Sequence, residues 1–311
     1  MKKYIIILLT VVFAGKDYSQ SFPGGFIENG MDTVVRLRLD SSQIAAFMPQ
    51  RGLFTFPAPY NTQGVRITNA NDCQGGDCVS YVGYSYWRNI NNHVGCDSML
   101  IFVGLDKSKG GTGPTLFSYN KITDQARNLG PLFDTTSVFN LYSGEGWYFS
   151  AVLPSKLYIK GVSTLIRYDV ITDIFDTIFD VRDFFGTDKY LWQCQSSNND
   201  RMHSFTLRED VTYISLGSGV YDELLDTMYY FPAIGDLDEC QIDKSGKWLL
   251  VKENVDFLYG EDNRIFNLET GEERVLLDQD GAAGHSDNGY GYMVAADNWG
   301  EVGDTKLWRF C

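Results

Sequence analysis

The chain has 311 residues, 44% hydrophobic and 21% charged, with a net charge of −14. That charge excludes the broad electropositive face that nucleic acid or an anionic membrane requires, but leaves room for a local basic pocket. Frequent aromatics and glycines (20 Phe, 19 Tyr, 31 Gly), with no long run at helical period after the N-terminal segment, point to strands and turns.

The chain opens with Lys2 and Lys3 ahead of an apolar stretch from Tyr4 to Gly15, which is short for a bilayer span. Residues 1–20 read as a signal peptide cleaved near Ser19–Ser21, with a retained anchor as the weaker alternative. No later apolar segment is long enough to span. The expectation is therefore a secreted or periplasmic protein with no stable membrane insertion after cleavage. Residues 21–52 form an N-terminal segment. Its stretch TVVRLRLDSSQIAAF, from Thr33, is expected to supply strands that close a ring.

Six cysteines fit an oxidising compartment. Cys73 and Cys78 bracket the Gly-rich turn QGGD and are the best candidates for a local disulfide. Cys96, Cys194, Cys240 and Cys311 are expected as small buried hydrophobes.

Two elements then alternate along the chain. The first is an apolar strand, a turn with Asp or Asn and Thr, and a second strand. It occurs in LFSYNKITDQARNLG from Leu116, LIRYDVITDIFDTIF from Leu165 and RIFNLETGEERVLL from Arg264, with a degenerate copy around Tyr221 and Asp222. Thr123 and Thr172 are 49 residues apart. The second is a polar head, a Gly-containing turn and a hydrophobic strand, seen in CQIDKSGKWLLV from Cys240 and GHSDNGYGYMVA from Gly284. Looser copies start at Tyr60, His93 and Tyr142. A fixed period of this length predicts an all-β fold, a β-propeller of six or seven four-stranded blades over residues 53–311. The blade boundaries expected are 53–90, 91–134, 135–180, 181–232, 233–280 and 281–311. Both TVVRLRLD and the terminal TKLWRFC resemble the same strand of the repeat, so either there are more than six sheets or the chain is truncated at its C-terminus.

The only three histidines, His93, His203 and His285, each sit just ahead of a short hydrophobic strand. His285 and Gln241 align as HSDNG against QIDKSG. On that register the heads converge at one end of the central channel, and imidazole there suits a metal ligand or a general acid or base. The competing reading is three satisfied structural residues. Arg88 and Arg201 suit a carboxylate ligand, against the alternative of ion pairs with a nearby carboxylate such as Asp200. Tyr84, Tyr86, Trp87, Tyr290, Tyr292 and Trp299 offer platforms for sugar rings, against blade packing. Asp236, Asp238 and Glu239 offer oxygen ligands for calcium, against solvated turns. The sequence holds no nucleophile elbow, phosphate-binding loop or zincin helix.

DECQIDKSGKWLLVKEN followed by NRIFNLETGEERVLL resembles the bacterial WD-type propeller repeat, a likeness that covers most of residues 53–311. Among exported enzymes the chain resembles the propeller polysaccharide lyases of the oligogalacturonate and ulvan types. That resemblance implies a divalent metal, manganese or calcium, held by His203, Gln241 and His285. It implies β-elimination on a uronic-acid polysaccharide or oligosaccharide. Arg88 or Arg201 would neutralise the carboxylate, His93 would act as base and Tyr290 as acid, with Trp87 and Tyr292 against the sugar. Two alternatives stand beside it: a non-catalytic platform for glycan or protein, and a calcium-dependent propeller hydrolase.

Overall fold

The computed structural model describes residues 38–81, 87–141, 146–258, 260–277, 285–296 and 305–310. The predicted signal peptide, and Tyr84, Tyr86, Trp299 and Cys311, lie outside the described residues. The chain divides into two units, residues 1–49 with 53–66, and residues 50–52 with 67–311.

In the smaller unit, helix α1 (Ser41–Phe47) occupies the second half of the stretch expected to supply closing strands, and residues 33–37 of that stretch lie outside the described residues. The sequence explains the difference. Asp40 accepts the Gln43 N–H, and the Gln43 side chain accepts the Asp40 N–H, a reciprocal cap that fixes the first turn. Strands β1 (Gly52–Thr55) and β2 (Gln63–Arg66) form a two-stranded sheet rather than a first blade. Phe47, Phe54 and Phe56 pack their rings together at 4.9–5.9 Å.

The larger unit is a β-propeller. Its first blade holds β3 (Val79–Tyr81), β4 (Ile90–Asn91), β5 (Ser98–Leu105), β6 (Gly113–Asn120) and β7 (Gln125–Pro131). There β3 and β4 share one edge of β5. The second blade is β8 (Trp147–Phe149), β9 (Lys156–Lys160), β10 (Thr164–Asp169) and β11 (Ile174–Asp180). The third is β12 (Lys189–Ser196), β13 (Met202–Glu209), β14 (Ser215–Asp222) and β15 (Thr227–Pro232), entered through the short helix α2 (Val181–Phe185). The fourth is β16 (Asp236–Ile242), β17 (Trp248–Asn254), β18 (Asp262–Asn267) and β19 (Glu273–Leu276). The fifth shows β20 (Ser286–Asn288), β21 (Tyr292–Ala296) and β22 (Thr305–Arg309). Every pairing is antiparallel, and apart from β3 on β5 each joins successive strands, so each blade is a meander. Five blade sheets lie among the described residues.

Apolar seams join successive blades. Phe102 and Leu116 pack with Trp147, Phe149 and Ile159 between the first and second. Tyr158, Leu165 and Phe179 meet Leu191, Phe205 and Leu207 at the next seam. Met202 and Val220 meet Cys240, Leu249 and Val251, and then Trp248 and Leu250 meet Met293 and Phe310. Burying such side chains on both faces of a sheet is the main force holding blades together. Within the third blade, Gly219 lies across from Phe205, whose ring fills the space a Cβ there would need.

The repeat read from the sequence is the turn between third and fourth strands. Asn120, Asp169, Asp222 and Asn267 each accept two backbone N–H groups, two and three residues on. The residue that closes each turn has positive φ: Asp124, Asp173, Asp226 and Gly271. In three blades the tyrosine just before the turn head donates to that closing aspartate: Tyr119 to Asp124, Tyr168 to Asp173 and Tyr221 to Asp226. The bond to Asp124 pushes the Tyr119 phenol up to about 12.

Cys73 and Cys78 form the disulfide expected of them. Cys194 and Cys240 are buried free thiols, and burial pushes Cys240 up to about 12, so neither is a reactive thiolate at neutral pH.

Candidate active site at the channel mouth

The turns after the first strands set the register across blades. The N–H of Ser150, Ser197, Asp243 and Gly289 closes each turn on the carbonyl of Lys156, Met202, Trp248 and Tyr292, at 2.7–2.9 Å. These four positions are therefore equivalent. One residue later stand Asn198, Lys244 and Tyr290, and one earlier stand Ser196, Ile242 and Asn288. The turn of the fifth blade is two residues shorter than that of the fourth. The match expected between His285 and Gln241 is thus displaced: Gln241 corresponds to Asp287, and His285 to Glu239.

Side chains from all five blades line a cavity of about 100 Å³ at this end of the first strands. Trp87 and Arg88 come from the first blade, Tyr148 from the second, and Gln195, Ser196 and Asn198 from the third. Ile242 and Lys244 come from the fourth, Asp287 and Asn288 from the fifth. The rim is stitched by backbone bonds, Asn198 N–H to Lys244 O at 3.0 Å and Lys244 N–H to Gly289 O at 2.8 Å. Arg88 Nη1 donates to Asn198 Oδ1 at 3.3 Å, and Asn198 Nδ2 donates to the Tyr290 hydroxyl at 2.9 Å. Lys244 Nζ lies 3.6 Å from Asp287. Two cations against one carboxylate make this a locally positive site in an acidic chain. Asn288 is 4% exposed, and neither atom of its amide has a hydrogen-bond partner among the described residues. A buried amide without partners costs about 1–3 kcal/mol, so such a group at a cavity wall favours a bound polar ligand.

Behind the wall runs a chain of polar groups. Tyr148 OH lies 2.7 Å from Ser196 Oγ, and Ser196 Oγ 2.6 Å from His203 Nδ1. His203 Nε2 lies 3.2 Å from Glu223 Oε2, and Glu223 Oε1 accepts from Arg167 at 2.8 Å. His203 is fully buried, with the Tyr158 ring 5.4 Å away. The His203 hydrogen bond and then Arg167 hold the Glu223 carboxyl below its usual range. Glu223, Arg167 and Arg201 line a second cavity of about 450 Å³, so His203 stands between two cavities.

The predicted site residues fall in different places. Arg88 and Trp87 line the cavity, although Trp87 is buried and anchored by its Nε1 bond to Cys194 O at 2.8 Å. Tyr290 is at the rim, whereas Tyr292 is half-exposed at the start of β21 and outside the cavity lining. Arg201 makes a two-pronged ion pair with Asp222 at 2.6 and 2.8 Å, the structural role weighed for it, though with a different partner from Asp200. His93 sits in the turn after β4, where its carbonyl accepts from Lys121. His285 is exposed at the other end of its strand, within electrostatic reach of Asp238 and Glu261.

The donor set expected for a metal does not fit one. Both His203 nitrogens are engaged, by Ser196 and Glu223. Gln241 is buried and donates to Glu239 at 3.1 Å, and Glu239 is itself paired with Lys252 at 2.5 Å. No group of three or more His, Cys, Asp or Glu side chains suited to a metal occurs among the described residues, the Asp236–Glu239 cluster included. The residues missed by sequence reasoning are Tyr148, Gln195, Ser196, Asn198, Lys244, Asp287 and Asn288. The signal that could have found them is their position next to the equivalent turns, not their residue type.

No protein-family profile matches the chain, and no curated protein sequence matches it. Solved structures do. A luciferin-regenerating enzyme is 8% identical, with a TM-score of 0.40 over 70% of each chain. An oligogalacturonate lyase in complex with manganese is 13% identical, with a TM-score of 0.39 over 81% of this chain and 79% of its own. The β-propeller domain of the Trilobed protease from Pyrococcus furiosus is 9% identical, with a TM-score of 0.41 over 73% and 68%. At these values the similarity concerns the propeller fold and not the chemistry.

Proposed function

We propose that the channel mouth binds a small acidic group, and that in an exported protein this is the carboxylate of a uronic-acid unit in an acidic polysaccharide or oligosaccharide. The unpartnered, buried amide of Asn288 carries this reading, together with the guanidinium and ammonium that share its cavity. Arg88 supplies a planar donor fork suited to a carboxylate, Lys244 a point charge, and Asn288 a donor and an acceptor already desolvated. Titration calorimetry with galacturonate oligosaccharides tests it. Arg88→Ala and Asn288→Ala are each expected to weaken binding about 10-fold or more, as loss of one desolvated polar contact does. Equal affinity for neutral galactose oligosaccharides, or variants that bind like the parent, would overturn the reading.

A second reading adds cleavage by β-elimination. It is favoured by one observation: the Tyr290 hydroxyl and Arg88 both bond Asn198, which sets a proton donor beside a carboxylate-binding cation. The Tyr290 oxygen, its own proton given to solvent, then takes the proton alpha to the carboxylate and delivers it to the leaving oxygen, while Arg88 neutralises the uronate. A rise in ultraviolet absorbance on incubation with uronic-acid polymers, absent in Tyr290→Phe, is the expected signature. No rise across such polymers leaves a binding platform without lyase chemistry.

A further inference from the structure

The polar chain behind the cavity has a direction fixed by its ends. The Glu223 carboxyl is ionised at neutral pH, because the His203 bond and Arg167 favour its charged form, so it can only accept. His203 Nε2 therefore carries a proton, which in the neutral ring leaves Nδ1 as the bare nitrogen. Nδ1 must then accept from Ser196 Oγ, at 2.6 Å. Burial raises the Tyr148 phenol well above its ordinary value, so it remains a donor to Ser196 Oγ, at 2.7 Å. Ser196 is the only member of the Ser196, His203 and Glu223 set that lines the mouth cavity; His203 is fully buried behind it.

The backbone makes this arrangement on purpose-built geometry. β12 carries a bulge between Trp192 and Gln195, with Gln193 at φ 50°, and beyond it Ser196 pairs directly across from His203 on β13. Without the extra residue, Ser196 would face the opposite side of the sheet. His203 in turn pairs with Tyr221 on β14, two residues before Glu223. The groups facing the imidazole are thus Ser196, Glu223, Tyr158 and Tyr221, with Arg167 beyond Glu223 and Tyr148 beyond Ser196.

We propose that Ser196, His203 and Glu223 form a nucleophile–base–carboxylate triad that cleaves small carboxylic esters presented in the channel-mouth cavity. Ser196 Oγ attacks the acyl carbon while its proton moves to His203 Nδ1. The imidazolium is stabilised by Glu223, a positioning residue that fixes the tautomer. Collapse breaks the bond to the alcohol, which leaves with the proton from Nδ1 and an acyl ester on Ser196. Water, deprotonated by the same Nδ1, then attacks that ester, releasing the acid and restoring the serine. The arrangement is a Ser–His–acid relay with the two ring nitrogens exchanged. Arg88 and the free amide donors of Asn288 share the cavity and are the groups available to the developing oxyanion. The proposal uses the cavity but not its acidic ligand, so it stands or falls separately from uronate binding.

An uncharged, small alkyl fluorophosphonate tests it on the full mature chain. The serine oxygen displaces fluoride at phosphorus, and mass spectrometry locates the adduct. One adduct on Ser196 is expected, lost in Ser196→Ala. His203→Gln should slow labelling by at least about 100-fold. Glu223→Gln should slow it roughly 10-fold or more and lower the pH at which labelling is half-maximal, while Glu223→Asp restores part of the rate. Ser196→Ala replaces a hydroxyl at a cavity wall, so it keeps the test decisive if His203→Gln does not fold. No adduct, an adduct that survives Ser196→Ala, or a rate indifferent to Glu223→Gln would overturn the triad.

Discussion

At the residue scale, His203 and Asp222 show neighbours assigning roles that residue type alone leaves open. His203 is a rare imidazole whose two nitrogens are both used inside the protein, and Asp222 is a buried turn head that also grips Arg201. Asp222→Asn should cost about 1–3 kcal/mol, read by urea denaturation, because it weakens the ion pair and leaves a changed acceptor at a buried turn. The pH dependence follows with its sign. Asp72, Asp222 and Glu223 have folded values below their ordinary ones, Asp72 despite burial through its bonds with Arg51 and Asn128, Asp222 chiefly through Arg201, and Glu223 chiefly through His203. Their stabilisation is present above the unfolded values of 3.8 and 4.5 and is lost as pH falls through the folded ones. Denaturant midpoints should therefore hold above about pH 5 and fall steeply below about pH 4. Asp238 and Glu261 act with the opposite sign: desolvation by the groups around them, then neighbouring carboxylates, raise both, although Asp238 itself keeps solvent contact. Neutralising either, as in Glu261→Gln, should raise the denaturant midpoint at pH 7. The turn heads were legible in the sequence, because only a short acceptor such as Asp or Asn can bond the two N–H groups that follow it. The register of His285 was not. The alignment keyed on Asp287 and Asp243, but the shorter turn of the fifth blade gives the turn-closing position to Gly289.

At the element scale, the informative features are departures from regular strands. The bulge in β12 turns a serine towards a histidine, and nothing in KYLWQCQS announces it, since its positive φ falls on Gln193 rather than on a glycine or asparagine. Helix α1 was equally hidden, because SSQIAAF is short and its cap is recognisable only once Asp40 and Gln43 are seen to bond each other. The joint between third and fourth blades depends on Glu253. This fully buried carboxylate accepts the N–H groups of Ile234 and Gly235 and pairs with Arg264 at 2.8 Å. Arg264 also holds Pro232 O and Glu273. Glu253→Ala should destabilise the protein by about 3–5 kcal/mol, since it strands a buried guanidinium and two backbone donors. Thermal unfolding would show the loss, and a change under about 1 kcal/mol would mean that water replaces the carboxylate.

At the scale of the whole molecule, a modest repeat signal produced a correct architecture. Strand–turn–strand units at a near-constant spacing leave few folds other than a ring of small sheets, and successive blades duly share apolar seams. The extent of the ring was less legible: residues 53–66 were counted as blade because a loose copy of the Gly-turn element starts at Tyr60, yet they fall in the smaller unit. Trp147 is the largest side chain buried at the first seam, touching Phe102, Phe133 and Phe139. Trp147→Ala should cost about 3–5 kcal/mol in urea denaturation and loosen the first two blades from each other. The same ring places side chains from five blades around one mouth, and there an acidic chain sets Arg88 and Lys244 beside the unpartnered Asn288. A crystal structure of the protein with a galacturonate oligosaccharide tests that convergence most directly. It should show a uronate carboxylate within about 3 Å of Arg88 and hydrogen-bonded to the Asn288 amide. A saccharide bound elsewhere, with the mouth cavity holding only water, would contradict the account.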